Sequence, residues 1–189
     1  MGRPARIDRA AILDAAFELA DQEGLDAVTM HAVARRLNVT PMALYRHLDG
    51  KDALLDGLVE RLLTAFPAQR ARQSGERWLT ATAGGIRQVA RRHPAVFPLL
   101  LTRPAVTPTA RRVRDAVVAA LQDAGLTEAA AKRAERLVSS AVLGFAASEA
   151  AGRFRQHEQA VVDEDFAELL RWLRLAVTSP SAAGDNGQA

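Results

Sequence analysis

Apolar residues recur every three to four positions through most of the chain, the period at which an α-helix presents one face to a core. In residues 9–23 the apolar side chains fill an arc of roughly 160°, and acidic and amide side chains take the opposite side. No run of alternating, β-branched residues is bounded by turns, so no strand is predicted. The pattern predicts an all-α chain with helices at 9–23, 30–37, 41–48, 51–66, 76–92, 109–124, 128–152 and 162–177.

Local signals set the ends of the first helices. Gly24 ends the first helix, Thr29 can cap the second, and Asn38 tolerates the left-handed backbone of a tight turn. Thr40-Pro41 combines a capping hydroxyl with proline at the first helical position, and Asp49-Gly50 ends the third helix. Residues 30–48 therefore predict two helices joined by a short turn and held by a longer preceding helix, the helix-turn-helix layout.

The third helix has one side for a core and another for a partner. Leu44 and Leu48 lie one turn apart and define the buried side, and helical rotation places Met42, Ala43 and Arg46 on the opposite side. The residues at roughly 80° to either side of the core direction are Tyr45 and His47.

This arrangement suits the major groove of DNA. Arg46 can pair bidentately with guanine, small Ala43 permits close approach, and Met42 can touch a thymine methyl group. Residues 30–51 carry a net charge of +3, which equals the net charge of the whole chain. The excess positive charge therefore lies in the segment expected to contact DNA. The side chains expected to contact phosphates are Thr40, Tyr45, His47 and Lys51.

Ordinary structural roles remain open for several of these residues. Tyr45 is alternatively a half-buried tyrosine, His47 a solvated surface histidine, and Arg35 with Arg36 a solvated face. The basic N-terminal arm either reaches an adjacent minor groove or is a disordered tail. Its arginines are Arg3, Arg6 and Arg9.

Residues 8–58 resemble the N-terminal domain of TetR-type transcriptional regulators. The most specific part is Leu44-Tyr45-Arg46-His47-Leu48 followed by Lys51-Asp52-Ala53-Leu54-Leu55. The resemblance implies phosphate-contacting positions at Thr29, Thr40, Tyr45, His47 and Lys51. It implies groove-facing positions at Met42, Ala43 and Arg46, with His31 as a further DNA-binding position at the start of the second helix. Asn38 stands where glycine is usual.

Residues 92–152 resemble the C-terminal domain of the tetracycline-repressor subgroup more weakly. His93, Thr102-Arg103-Pro104 and Leu143-Gly144 recur in the subgroup's order. In that subgroup the segment before Thr-Arg-Pro supplies a histidine that binds a magnesium–drug chelate, but here it reads Leu99-Leu100-Leu101. A magnesium–tetracycline ligand is therefore not supported, and we expect neither a metal ion nor another cofactor.

Two late helices carry apolar stripes that favour a homodimer through a four-helix bundle. The stripes comprise Ala134, Val138, Ala141, Val142 and Phe145, then Val162, Phe166, Leu169, Leu173 and Ala176. The alternative is that both stripes pack inside one subunit.

The second half can also enclose a pocket for a small, largely apolar effector of unknown identity. The expected ligand-binding residues are Trp78, His93, Phe97, Arg103, Phe145 and Glu149, with Trp172 as a further large apolar surface. Each aromatic is alternatively a core residue. Arg103 alternatively caps a helix C-terminus, and Glu149 alternatively pairs with Arg153 one turn on.

Composition limits the other possibilities. The chain has 189 residues, 49% of them hydrophobic, and no cysteine, which excludes a disulfide scaffold and a thiolate site. No apolar stretch has the roughly 18 residues of a membrane helix, and Asp14 with Glu18 argues against a secretory signal, so we expect a cytoplasmic location and no membrane. The four histidines are widely separated, and neither G-x-S-x-G nor a phosphate-binding glycine loop occurs, so no catalytic residue is predicted.

These observations together predict a regulator, not an enzyme. We expect a homodimeric repressor that binds a palindromic operator and is released by a small-molecule effector; the alternatives are a DNA-binding dimer without effector and a helical enzyme with a vestigial DNA module. The predicted domains are 1–50 (helix-turn-helix DNA-binding domain), 51–66 (connecting helix), 67–178 (helical ligand-binding and dimerisation domain) and 179–189 (disordered tail).

Overall fold

The computed structural model describes residues 7–66, 75–103 and 107–178, with the backbone alone for Gly75, Glu76, Trp78 and Thr178. Every regular element in these ranges is a helix, which confirms the predicted all-α class. The elements are α1 (Arg9–Glu23), a 3-10 turn (Leu25–Ala27), α2 (Met30–Arg36), α3 (Pro41–Tyr45), α4 (Gly50–Thr64), α5 (Gly75–Arg92), α6 (Leu99–Thr102), α7 (Pro108–Asp123), α8 (Glu128–Ala150) and α9 (Gln159–Thr178). The predicted tail 179–189 and the arm residues Arg3 and Arg6 lie outside the described residues.

The chain forms two compact units. Among the described residues, unit 1 comprises 7–65 and 93–103, and unit 2 comprises residue 66, 75–92 and 107–178. Segment 93–103 therefore belongs to unit 1, although α5 and α7, which flank it in sequence, belong to unit 2. Two bonds of this segment to unit 1 agree with the placement: His93 contacts Asp21 and Arg103 contacts Asp56. The predicted boundary near residue 66 did not anticipate the return of the chain to the first unit.

The core of unit 1 is built from the apolar arc predicted for α1. Leu44 of α3 and three leucines of α4 are fully buried with it, as burial of apolar surface requires. Gly57 lets α4 approach α1 closely, since a Cβ atom placed there would lie 2.2 Å from Cδ2 of Leu13. The buried residues of α1 and α4 are Ile12, Leu13, Ala15, Ala16, Leu19, Ala20, Leu54, Leu58, Val59, Leu62 and Leu63.

Most of the predicted helix ends are confirmed. The backbone amide of Ala32 donates to Oγ1 of Thr29 at 3.0 Å, which caps α2. Gly24 ends α1 with φ +87°, and Asn38 takes the left-handed backbone with φ +55°. These two positive φ angles are why the sequence turns where it does.

Two local predictions at the third helix are wrong. Thr40 occupies the N-cap of α3, but its side chain accepts no capping hydrogen bond. The helix ends at Tyr45 and not at Leu48, because the amides of His47 and Leu48 both donate to the carbonyl of Leu44, at 2.9 and 3.0 Å. This shared acceptor tightens the last turn out of α-helical geometry.

Unit 2 contains two hydrophobic clusters. The first joins α7 and α8 through Val117, Leu121 and Ala131, and the second joins α5, α8 and α9 through Ala83, Val142 and Phe166. Helix α5 runs through Gly84-Gly85 without interruption. None of the helices in the described ranges combines the length and the apolar character needed to cross a membrane.

The predicted dimer stripes pack mainly inside unit 2. Val138, Val142 and Phe145 of α8 meet Phe166, Leu169 and Leu173 of α9 in the second cluster, as the alternative of packing inside one subunit expected, and a surface between subunits stays a prediction. The period of 3.6 residues finds an apolar stripe but cannot distinguish a subunit's own core from a partner. The large apolar side chains that α8 and α9 expose are Leu137, Val161, Trp172 and Leu175.

Candidate nucleic-acid interface

Helices α2 and α3 pack against each other across a short turn. The amide of Val39 donates to the carbonyl of Ala34 at 3.0 Å, which closes the turn behind Asn38. Leu44 is fully buried and Leu48 is 4% exposed, so the predicted inner side of the third element is confirmed. These anchors determine which side chains face outward.

The opposite side of α3 faces solvent. Met42 is 70% exposed and Tyr45 is 47% exposed, while Arg46 and His47 are exposed and Ala43 is partly buried. A methionine so exposed gains nothing from the core of its own unit, whereas the 47% exposure of Tyr45 agrees with the alternative interpretation of a half-buried tyrosine. The short helix therefore presents a mixed apolar and cationic tip.

The flanking positions surround this tip. Thr40 is exposed at the start of α3, and its oxygen has no capping role. Lys51 is exposed in the first turn of α4, and His31 is exposed in the first turn of α2 beside the capping residue Thr29. All four are polar side chains of the kinds that contact phosphates.

Charge at this surface is available for a partner. Among the described residues, Arg46 and Lys51 have no carboxylate oxygen within 4.0 Å, and the same holds for Arg35. Arg36 differs, because its Nη2 donates to Oε2 of Glu18 at 3.1 Å. The interpretation of Arg35 and Arg36 as a solvated face therefore applies to Arg35, whereas Arg36 forms an ion pair with Glu18 of α1.

The residues predicted to bind an effector are divided between the two units. His93, Phe97 and Arg103 belong to unit 1, whereas Phe145 and Glu149 belong to unit 2, and the side chain of Trp78 lies outside the described residues. Phe97 is fully buried, as the core alternative expected. Arg103 occupies the C-cap of α6, where its amide donates to the carbonyl of Leu99 at 2.9 Å, so the helix-capping alternative is confirmed. Its Nε also donates to Oδ1 of Asp56 at 2.6 Å.

Glu149 is held by two arginines of α5. Arg87 donates to it at 2.6 and 2.7 Å and Arg91 at 3.0 Å, so the predicted alternative partner Arg153 is wrong. Burial alone raises the pKa of Glu149, but the hydrogen bonds from Arg87 and Gln159 and the charges of both arginines outweigh burial and lower that pKa below its ordinary value. Glu149 is therefore an ionised anchor.

Arg87 is the centre of a network that sequence patterning missed. Its guanidinium also donates to Asp163 at 2.7 Å and lies 4.7 and 5.7 Å from the ring centroids of Phe166 and Phe145. The network joins α5, α8 and α9 by charge and by cation–π contact. The sequence signal that could have indicated this network is an arginine on the buried side of a long amphipathic helix.

An open groove of about 440 Å³ runs along α1 in unit 1. Phe17 and His93 form part of its wall, with ring centroids 4.8 Å apart in an edge-on arrangement. The other lining residues are Asp14, Glu18, Arg61, Thr64 and Ala65. No three histidine or carboxylate side chains in the described ranges are grouped as metal ligands.

Comparison with known families decides the class of protein. Residues 12–58 match the model of the bacterial regulatory proteins of the tetR family, and residues 79–173 match the tetracyclin repressor-like C-terminal domain. The chain belongs to the TetR family. The family's members are transcription factors and not enzymes, which agrees with the predicted class.

Individual proteins similar to this TetR-family chain are also transcriptional regulators. It is 31% identical to an HTH-type transcriptional regulator of Saccharopolyspora erythraea, over 92% of this chain and 75% of that protein. It is 28% identical to the repressor DrrR1 of Streptomyces coeruleorubidus over 82% of its own length, and spans 58% of DrrR1. The fold matches that of BioQ bound to its double-stranded DNA operator, with a TM-score of 0.79 and 23% identity over 92% of this chain and 99% of BioQ.

Proposed function

We propose that this TetR-family chain is a repressor that binds a palindromic operator as a homodimer. The exposed face of α3 carries the proposal, because Met42 and Arg46 face solvent there while Leu44 and Leu48 hold the element to its core. The solved complex of BioQ, which has a similar fold, with its double-stranded DNA operator supports this proposal. Binding to the chromosome would place the protein in the cytoplasm.

The contacts divide into readout and positioning. Arg46 would read guanine, Met42 a thymine methyl group, and Ala43 would permit the close approach. The Thr40 hydroxyl, which no helix cap occupies, would donate to a phosphate. The other phosphate contacts would come from Thr29, His31, Tyr45, His47 and Lys51.

A homodimer would supply the second half-site. One short helix reads only a few base pairs, and two copies one helical turn apart read a palindrome. The last two long helices offer a surface for this pairing, since Leu137, Trp172 and Leu175 are between 61% and 65% exposed. Large exposed apolar side chains on neighbouring turns are typical of an interface.

The proposed effector is a small, largely apolar molecule bound in unit 2. The tetracyclin repressor-like match over residues 79–173 supports a ligand-binding role for this part of the chain. Of the predicted ligand residues, Trp78, Phe145 and Glu149 lie in this unit. A ligand would release DNA by stabilising a conformation that binds the operator less well, with a coupling of about 1–3 kcal/mol.

Two substitutions test the DNA-binding surface. Arg46→Ala should weaken binding to the selected operator roughly tenfold to a hundredfold, since a bidentate base contact contributes about 1–3 kcal/mol, and should change binding to random duplexes much less. Lys51→Ala should weaken both alike and reduce the salt dependence. Equal losses on operator and random DNA for Arg46→Ala would remove Arg46 from the readout role.

The second candidate is a DNA-binding dimer without an effector. One observation favours it: His93, Arg103 and Glu149, the polar members of the predicted ligand set, already bind Asp21, Asp56 and Arg87. A compound screen that shows neither thermal stabilisation nor release of operator DNA would support this candidate. Release by any compound would support the effector proposal.

A further inference from the structure

Three carboxylates on α1 form a row along one side of the helix. Residues 14, 18 and 21 are spaced i, i+4 and i+7, which places them on successive turns of one face. Each carboxylate binds a basic side chain from a different element of unit 1. The pairs are Asp14 with Arg61 of α4, Glu18 with Arg36 of α2, and Asp21 with His93 at the start of segment 93–103.

Segment 93–103 is attached to unit 1 at both of its ends. At one end Nδ1 of His93 lies 2.8 Å from Oδ2 of Asp21, and its ring packs edge-on against Phe17. At the other end Arg103 binds Asp56 of α4. The Asp21–His93 bond is thus the polar attachment to α1, and the Arg103 bond is the attachment to α4.

The carboxylate row connects this segment to the reading helices. Glu18 lies one turn from Asp21 on α1, and its partner Arg36 is the last residue of α2. The turn that leads into α3 begins directly after Arg36. A displacement of α1 relative to segment 93–103 would therefore also move the start of α3, because α1 contacts the segment through Asp21 and contacts the end of α2 through Glu18.

We propose that Asp21 and His93 are positioning residues for operator binding. Their hydrogen bond fixes α1 against segment 93–103, and the neighbouring Glu18–Arg36 pair holds α2 in the register that α3 requires for base contact. This inference rests on the proposed DNA-binding function. Segment 93–103 is covalently continuous with α5 of unit 2, so the bond lies where an effector's influence would enter unit 1.

The exposure of these pairs separates positioning from folding. The side chains of His93 and Asp21 are 17% and 28% exposed and that of Glu18 is 64% exposed, and pairs that remain partly open to solvent contribute less to the free energy of unfolding than fully buried pairs do. Hydrogen bonds to base edges, in contrast, weaken steeply when the angle at the donated hydrogen falls below about 120°, so they depend on the orientation of α3. Loss of the bond should therefore change operator preference with little change in Tm.

The test is a double-mutant cycle on the full-length chain. His93→Phe keeps a ring against Phe17 and removes the Nδ1 donor, Asp21→Ala removes the acceptor, and Asp21→Asn keeps an acceptor oxygen. The matched control is Glu23→Ala, which removes the same charge from the same helix at a carboxylate that, within the described residues, has no cation within 4.0 Å.

The measured quantity is the affinity for the selected operator divided by that for a random duplex at one salt concentration. Asp21→Ala, His93→Phe and their double mutant should each lower this ratio roughly fivefold to tenfold, the low end of coupling between sites in proteins, and to the same extent. Asp21→Asn should stay within about twofold of wild type, and Glu23→Ala should leave the ratio unchanged.

Two results would overturn the inference while wild-type operator binding stands. The first is an unchanged ratio in both single mutants, and the second is an Asp21→Asn variant that behaves like Asp21→Ala. If Asp21→Ala does not fold, the other two variants test the inference. A lowered ratio in His93→Phe with a near wild-type ratio in Asp21→Asn supports it, and any other combination contradicts it. A wild-type chain without operator preference would contradict the proposed function instead.

Discussion

Arg87 donates two hydrogen bonds to the carboxylate of Glu149, at 2.6 and 2.7 Å, across the contact between α5 and α8. Both side chains are close to one-tenth exposed, so the pair lies largely out of water. Removing one partner of a buried pair leaves the other charge poorly solvated. This geometry makes unit 2 sensitive to a single substitution.

Arg87→Met should lower the free energy of unfolding by about 2–3 kcal/mol, less than for a fully buried pair because Arg91 continues to bind Glu149. Chemical denaturation monitored by circular dichroism measures this loss. The control is Arg171→Met, which breaks the exposed pair with Glu168 and should cost at most about 0.5 kcal/mol. Equal losses in the two variants would show that the buried network contributes nothing special.

Acid should destabilise unit 2 through Glu149. Because its pKa is lowered in the folded state, the stabilisation is present above the unfolded pKa of about 4.3 and is lost as pH falls through the folded pKa. The Tm of wild type should therefore fall below about pH 4. Glu149→Gln should be less stable at neutral pH and show a shallower acid dependence; parallel pH profiles for the two proteins would refute the assignment.

Gly84→Ala should stabilise the protein. Gly84 lies exposed within α5, and a Cβ atom added there meets no atom within 4 Å, so alanine gains helix propensity of about 0.5–1 kcal/mol without strain. The matched control is Gly125→Ala, because Gly125 is equally open but has φ +98°. The first variant should raise Tm and the second should lower it.

Trp172→Glu should convert the proposed dimer to monomers. Trp172 is 63% exposed on α9, and a carboxylate on each copy would be desolvated and repelled at a two-fold axis. Sedimentation equilibrium measures the change. Leu101→Glu is the control, since Leu101 is an exposed apolar residue of α6 in unit 1; a Trp172→Glu protein that remains dimeric would place the interface elsewhere.

The helix-turn-helix was readable from sequence because its determinants are local. The Thr29 cap, the left-handed Asn38 and the Leu44–Leu48 pair act within a few residues of one another, and each is confirmed. The end of α3 was misplaced because the competition of two amides for the carbonyl of Leu44 leaves no mark in a hydrophobic pattern.

The polar contacts that organise each unit were not readable in the same way. Asp21 and His93 are 72 positions apart, and Arg87 and Glu149 are 62 apart, so no helical period relates them. The i, i+4 spacing predicted Arg153 as the partner of Glu149, whereas in the folded protein Glu149 binds Arg87. The rule describes isolated helices, and packing against α5 overrides it.

The most direct test of the account is selection of binding sites from random duplex DNA by the full-length protein. A homodimer that reads DNA through α3 should select a two-fold symmetric site with half-sites about 10 base pairs apart. Its affinity for that site should be at least roughly a thousandfold above that for a shuffled duplex at the same salt concentration. Equal affinity for selected and shuffled duplexes, with no symmetric motif enriched, would contradict it.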